Sequence, residues 1–281
     1  MNIIIKDSIK ADIFVSLFQH ISKFTENVNL MFETDRFYMQ SMNTAHVVIL
    51  EICLPKEWFD IYEIGEEGSL KIGINTALFY KVLKKREKTQ QINICYQNSE
   101  NDRLQFFFTT NSTIPSTNST IDESISNSNK KKEEVFDKDF EIPLVDVEEE
   151  ILSIPDIDYQ AELSLSTDKF ANLISQLKDF GETLEIQCSE DKITLSAHSC
   201  ENGKMITRIL IEDLTEFSIE ENENIQMEFA LRYLYDICLY QKLSKLVELK
   251  ISKDFPIRIM YSLGIEKNAT FLFYLAPKMA D

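Results

Sequence analysis

Apolar residues recur at three-and-four spacing near the start of the chain. Ile13, Phe14, Leu17, Phe18, Ile21 and Phe24 fall on one stripe, which predicts an amphipathic helix from Ile9 to Phe24 capped by Asp7 or Ser8. The period then shortens. Leu30–Glu33, Phe37–Met42, Val47–Leu54 and Ser69–Ile74 read as strands, followed by a second helix over about 76–85 and strands at Gln91–Tyr96 and Leu104–Thr109. From Thr110 to Glu134 the pattern collapses into Asn, Ser, Thr, Lys and Glu, with Asn-Ser-Thr twice. Such a stretch buries too little apolar area to offset its ordering entropy, so a disordered surface loop is expected. Phe140 to Asp158 reads as an extended acidic linker.

The second half repeats the first. Phe170, Leu173, Ile174 and Leu177 form a helical stripe within 167–180 that matches the first helix at an offset of about 156 residues. Asp191-Lys-Ile-Thr-Leu-Ser falls on Asp35-Arg-Phe-Tyr-Met-Gln at the same offset, and Phe229-Ala-Leu-Arg-Tyr-Leu, read as opening a fourth helix, falls on Ile74-Asn-Thr-Ala-Leu-Phe. The fold class expected is α+β: two duplicated domains of antiparallel sheet, each with two helices on one face. The expected boundaries are 1–141 (with 110–134 as the insertion), a linker at 142–159, and 160–281.

Composition narrows the function classes. With 281 residues, 44% of them hydrophobic and 11% aromatic, the chain can build a substantial core. No apolar run reaches the roughly 18 residues of a membrane helix, and the first residues lack a secretory pattern, so an intracellular protein with no membrane partner is expected. Cys53, Cys95, Cys188, Cys200 and Cys238 are scattered and form no Cys-x-x-Cys pair, which reads as free thiols. His20, His46 and His198 add no metal-ligand spacing, so no metal or cofactor is expected. Asn111, Asn118 and Asn268 open chance glycosylation sequons. No phosphate-binding or nucleophile motif occurs, and Gly65-Glu-Glu-Gly68 reads as a turn, so the chain reads as a non-enzyme. A formal charge of −18 argues against nucleic acid unless basic residues gather on one face. Lys81, Lys84, Lys85 and Lys88 do gather, at i, i+3, i+4 and i+7, with Arg86 beside them.

Two segments carry a family resemblance: Met39-Gln-Ser-Met-Asn-Thr-Ala-His-Val-Val-Ile-Leu50 and Phe273-Tyr-Leu-Ala-Pro-Lys-Met279. With the order of elements between them, they resemble the proliferating cell nuclear antigen family of DNA sliding clamps. The resemblance implies a homotrimeric ring around duplex DNA, independent of sequence, with helices lining the hole. It also implies DNA polymerase and other replication or repair proteins as partners, an ATP-dependent clamp loader, and a nuclear location or a cytoplasmic viral replication factory.

The resemblance also implies sites. Lys81 and Lys84 match positions that face DNA, and Lys10, Lys23, Lys169, Lys178, Arg232, Lys242 and Lys245 lie on or beside the other helices. The family's further basic positions are Ala11, Asp12, Phe18, Asn172, Ser175 and Asp179 here, so a less basic channel is expected. Met42, His46, Ile49, Leu152 and Ile154 match one part of the family's peptide pocket, and Pro256, Tyr274, Ala276 and Pro277 the rest. The linker carries one extra residue between Asp146-Val147 and Ile154-Pro155. Subunit contacts are expected along Phe136, Lys138, Phe140 and Ile142 on one side and Gly203, Met205 and Thr207 on the other. The family's modified lysine corresponds to Glu190, with Lys192 two residues on. Two rivals stay open: a clamp-fold subunit acting as monomer, dimer or member of a mixed ring, and an acidic protein that uses the pocket without DNA.

Overall fold

The structure is a computed structural model, and it describes the chain apart from residues 66–67, 98–102, 111–134, 149–150, 156, 241–242, 265, 267 and 279–281. The expected low-complexity loop therefore lies outside the described residues, except for Thr110.

The first half runs β1 (Asn2–Ile5), α1 (Ser8–Phe24), β2 (Asn27–Glu33), β3 (Arg36–Met42) and β4 (Val48–Pro55). A 3₁₀ turn then leads to β5 (Ile61–Glu63), β6 (Ser69–Asn75), α2 (Thr76–Leu83), β7 (Gln90–Cys95), β8 (Arg103–Thr110) and β9 (Lys138–Pro143). The second half gives the same order: β10 (Ala161–Ser166), α3 (Thr167–Lys178), β11 (Thr183–Cys188), β12 (Lys192–Ser199) and β13 (Gly203–Leu210). After its own 3₁₀ turn come β14 (Glu216–Ile219), β15 (Ile225–Ala230), α4 (Leu231–Cys238), β16 (Leu246–Ile251), β17 (Ile257–Ser262) and β18 (Thr270–Leu275). This is the expected two-domain α+β fold.

The repeat extends to single hydrogen bonds. Asp60 N–H donates to Ile4 O as Thr215 N–H does to Ser164 O, and Thr76 N–H donates to Glu26 O as Leu231 N–H does to Glu182 O. Val145 N–H donates to Gly73 O as Lys278 N–H does to Glu228 O. In each half, the segment after the last strand thus covers the open edge of the sixth strand, an edge that would otherwise invite foreign pairing.

Each half folds a five-strand set (β5-β1-β7-β8-β9, or β14-β10-β16-β17-β18) and a four-strand set (β4-β3-β2-β6, or β13-β12-β11-β15). The halves fuse where β18 pairs antiparallel with β4, which makes one nine-stranded sheet. Phe271, Phe273, Leu50 and Ile52, facing one another across this junction, are fully buried.

Asp7 caps α1, its Oδ1 accepting from the N–H groups of Ile9 and Lys10. Phe14, Leu17, Phe18 and Ile21 point into the core, and Phe14 and Phe18 stack with Phe79 of α2. The predicted fourth helix opens two residues later than the pattern suggests. Phe229 and Ala230 close β15, paired with Leu184 and Thr183, and α4 begins at Leu231. The matching Ile74-Asn75 likewise closes β6, where Asn75 caps α2. Helix α2 ends at Leu83 rather than at Lys85, so Lys88 stands beyond the helical row. β9 continues to Pro143, two residues past the expected domain boundary.

Candidate functional site

The face of the nine-stranded sheet opposite the helices carries the residues matched to the partner pocket. Strand pairing sets Met42 of β3 opposite Ile49 of β4, and Ile49 opposite Tyr274 of β18. Three residues far apart in sequence thus form one lateral row, all half-buried, because the two halves share a sheet. Burial first, then the nearby Glu51 carboxylate, pushes the Tyr274 phenol up to about 12. The row is flanked by the β3–β4 turn, where Asn43 Oδ1 accepts from the N–H groups of Val47 and Val48. His46 sits in this turn, exposed, at φ 57°. On the other flank Ala276 N–H donates to Val47 O, which lays the tail beside the turn.

Two clefts lie near the ends of this row, one lined by Met42 and the other by the tail beyond Tyr274. One of about 720 Å³ includes Met42, His46 and Leu152 with the α1–β2 turn and the linker. The other, about 850 Å³, lies between Pro277-Lys278 and Met227, Glu228 and Asp254. Pro256 is exposed and Ile154 half-buried.

The linker crosses this face on three anchors that the sequence pattern did not single out. Val145 N–H donates to Gly73 O at 3.0 Å, Asn29 Nδ2 donates to Val147 O at 3.0 Å, and Gln40 meets Leu152 twice. Polar Asn29 and Gln40 inside apolar strands were the available signal, since a buried amide needs partners.

On the helix side, Lys81, Lys84, Lys85 and Lys88 are exposed together, with Lys84 Nζ 5.8 Å from the Tyr80 ring centre. Lys23 and Lys169 are exposed on their helices and Lys245 directly before β16. Lys178 lies over Tyr235 at 4.0 Å and Arg232 over Tyr233 at 4.4 Å. Two cations expected on this face are engaged elsewhere. Lys10 Nζ bonds Trp58 O and Glu266, while the Arg86 side chain, 3% exposed, bonds Asp12 and Ser8 O. Lys242 lies outside the described residues. Ala11 and Phe18, matched to basic family positions, are fully buried, so α1 presents other positions to solvent.

β9 and β13, matched to the subunit contacts, stand at sheet ends, as β5 and β14 also do. Lys138, Phe140, Met205 and Thr207 are half-buried there, Ile142 is buried and Gly203 is exposed. Phe136 is 71% exposed although Gln90 Nε2 holds its carbonyl. The Lys138 ammonium is bound by Glu87 and Lys85 O. Along β9 and the residue before it, Asp137, Asp139 and Glu141 are exposed beside Pro143, whereas β13 exposes Lys204 and Arg208 beside Ile206 and Leu210. Glu190 accepts from Asn222 N–H and so closes a local turn.

Sequence comparison agrees with this geometry. Residues 7–130 match the family model "Proliferating cell nuclear antigen, N-terminal domain", and residues 153–279 match the C-terminal one. A proliferating cell nuclear antigen of Chaetomium thermophilum is 23% identical over 288 residues, covering 97% of this chain and 96% of the relative. Proliferating cell nuclear antigen 2 of Plasmodium falciparum is 25% identical over 278 residues, covering 97% and 98%. With both domain models matched in order on a duplicated fold, the chain belongs to the proliferating cell nuclear antigen family of sliding clamps.

Proposed function

We propose that three copies of this chain close into a ring around duplex DNA, independent of sequence, and hold a DNA polymerase and other replication or repair proteins there. The observation that carries this reading is the internal β4–β18 junction. β13 is the repeat counterpart of β4 and β9 that of β18, yet among the described residues both edges are without a strand partner. A contact between them would repeat head to tail the joint already made inside the chain, and such a contact closes into a ring or runs on as a filament.

The internal register can be carried over to the open edges. Phe273 opposite Leu50 becomes Phe140 opposite Met205, and Leu275 opposite Val48 becomes Ile142 opposite Gly203. On the outward row, Thr270 opposite Cys53 becomes Asp137 opposite Arg208, and Tyr274 opposite Ile49 becomes Glu141 opposite Lys204. Opposite charges meet at both places, which supports this register. A mixed ring is the second reading, favoured by Lys138, Thr207 and Gly203 in a row where the internal joint is wholly apolar.

The mechanism is physical. The ring prevents dissociation, so weak phosphate contacts by Lys81, Lys84, Lys85 and Lys88 suffice and leave the ring free to slide. Peptides docked on the Met42–Ile49–Tyr274 row gain effective concentration at DNA without new contacts. The row suits apolar and aromatic anchors of a short helical turn, with Ala276-Pro277-Lys278 available to an extended flank. A closed ring needs an ATP-driven loader, and replication places it in the nucleus or in a viral factory. A non-enzymatic scaffold has no need of a cofactor.

Retention on DNA tests encirclement. Protein loaded onto nicked circular plasmid is expected to survive a high-salt wash and to leave once the plasmid is cut. Equal loss from circle and cut plasmid would exclude a topological link.

A further inference from the structure

The three linker anchors lie on one rung of the sheet. Gly73 pairs with Asn29 across β6–β2, Gln40 pairs with Glu51 across β3–β4, and the β2–β3 pairing keeps Asn29 and Gln40 on the same face. The linker therefore runs across the strands along this rung, one row away from Met42, Ile49 and Tyr274. Each anchor has a different device. At Gly73 a Cβ would stand 2.0 Å from Val145 O, so only glycine admits the backbone there. Asn29 contributes one amide hydrogen bond. Gln40, 8% exposed, contributes a two-pronged clip: Nε2 donates to Leu152 O at 3.0 Å, and Oε1 accepts from Leu152 N–H at 2.7 Å.

The clip is itself braced. Gln40 Nε2 also donates to Glu51 Oε1 at 3.0 Å, and the same oxygen accepts from the Tyr38 hydroxyl. The amide is thereby fixed in the one orientation that matches a peptide N–H and C=O. Leu152 is 41% exposed, so side-chain burial does little to hold it. Among the described residues the second half has no such device, since Ser196 stands at the position of Gln40 and bonds Glu185.

We infer that Gln40, braced by Glu51 and Tyr38, is a positioning residue that fixes the linker rim of the partner site by reading the Leu152 peptide group. This rests on the docking reading above and names what sets the geometry of that site. The extra linker residue falls between Val147 and Ile154, largely spanned by the Asn29 and Gln40 anchors. The rung thus keeps Leu152 in register with the Met42–Ile49–Tyr274 row whatever the length of the intervening chain.

The test compares the full chain with Gln40→Leu and Gln40→Glu. Leucine removes both hydrogen bonds at similar size; glutamate also removes the donor and sets a second carboxylate against Glu51. Amide exchange of the 151–154 segment is expected to speed up about tenfold in Gln40→Leu and further in Gln40→Glu, while β8 and β17 keep wild-type exchange. Affinity for a synthetic peptide with one helical turn of aliphatic and aromatic anchors is expected to fall about threefold to tenfold. Ser196→Ala should alter neither readout. Unchanged exchange at 151–154, or faster exchange spread over the whole chain, would overturn the clip. If the wild-type chain bound no such peptide, the docking reading would fail, and the exchange result would still decide the role of Gln40.

Discussion

The two halves present equivalent edge strands in two states: β4 and β18 are paired, whereas β13 and β9 have no strand partner among the described residues. In the closed version β4 meets β18, and its inward row consists of Val48, Leu50, Ile52, Phe271, Phe273 and Leu275, all buried. In the open version, β13 and β9, the matching positions are Gly203, Met205, Thr207, Lys138, Phe140 and Ile142. The outward rows differ in kind as well. The closed joint has Glu51 as its one charged member, while the open edges carry Asp137, Asp139 and Glu141 against Lys204 and Arg208. A joint that never opens can be built as a core. In the proposed ring, an edge that must stay soluble until it meets its counterpart carries charge, which discourages wrong pairing and fixes the register of the right one.

The largest expected effect separates the two versions. Phe273→Ala removes a fully buried ring from the closed joint and should cost about 3–5 kcal/mol of stability, seen as a lowered unfolding midpoint. Phe140→Ala, at the counterpart position, should lower that midpoint far less and instead raise the concentration at which the assembly dissociates. Equal losses of stability would mean that the two edges are not the same joint. Next comes charge. Arg208→Asp should weaken assembly about tenfold or more, and adding Asp137→Arg should recover much of the loss by restoring the opposite pair. No recovery in the double variant would rule out this register.

A smaller effect concerns the helix side. Replacing Lys81, Lys84, Lys85 and Lys88 with alanine should flatten the salt dependence of DNA binding by up to about four phosphate contacts and leave ring mass unchanged. Smallest is the alkaline response of the closed joint. Burial raises the Tyr274 phenol to about 12, so the unfolded chain loses this proton first as pH rises. Its contribution is complete below pH about 10 and should vanish as pH passes about 12. Tyr274→Phe should flatten part of the fall in denaturant midpoint over that window.

Helices and long strands were legible because their periodicity records which face is buried. The α1 stripe of Phe14, Leu17, Phe18 and Ile21 reappears as the buried row. The short strands β1 and β5, with four and three residues, carry too few alternations to register. Phe229 fits a helical stripe as well as a strand, and its pairing with Leu184, a tertiary contact, decides between them. Most of the residues expected to line a peptide pocket were read from two family segments, whereas Asn29, Gln40 and Gly73 acquire meaning only once β2, β3 and β6 lie side by side. Basic residues were visible as charges, but the ion pairs that engage Arg86 and Lys10 join residues up to 256 positions apart.

Solution mass, from light scattering coupled to gel filtration over a dilution series, separates a three-copy ring from a monomer. A closed ring has a mass of three times the 32.7 kDa chain, independent of dilution until it dissociates. A monomer at every concentration would contradict it, because β9 and β13 would then not be the two sides of one joint.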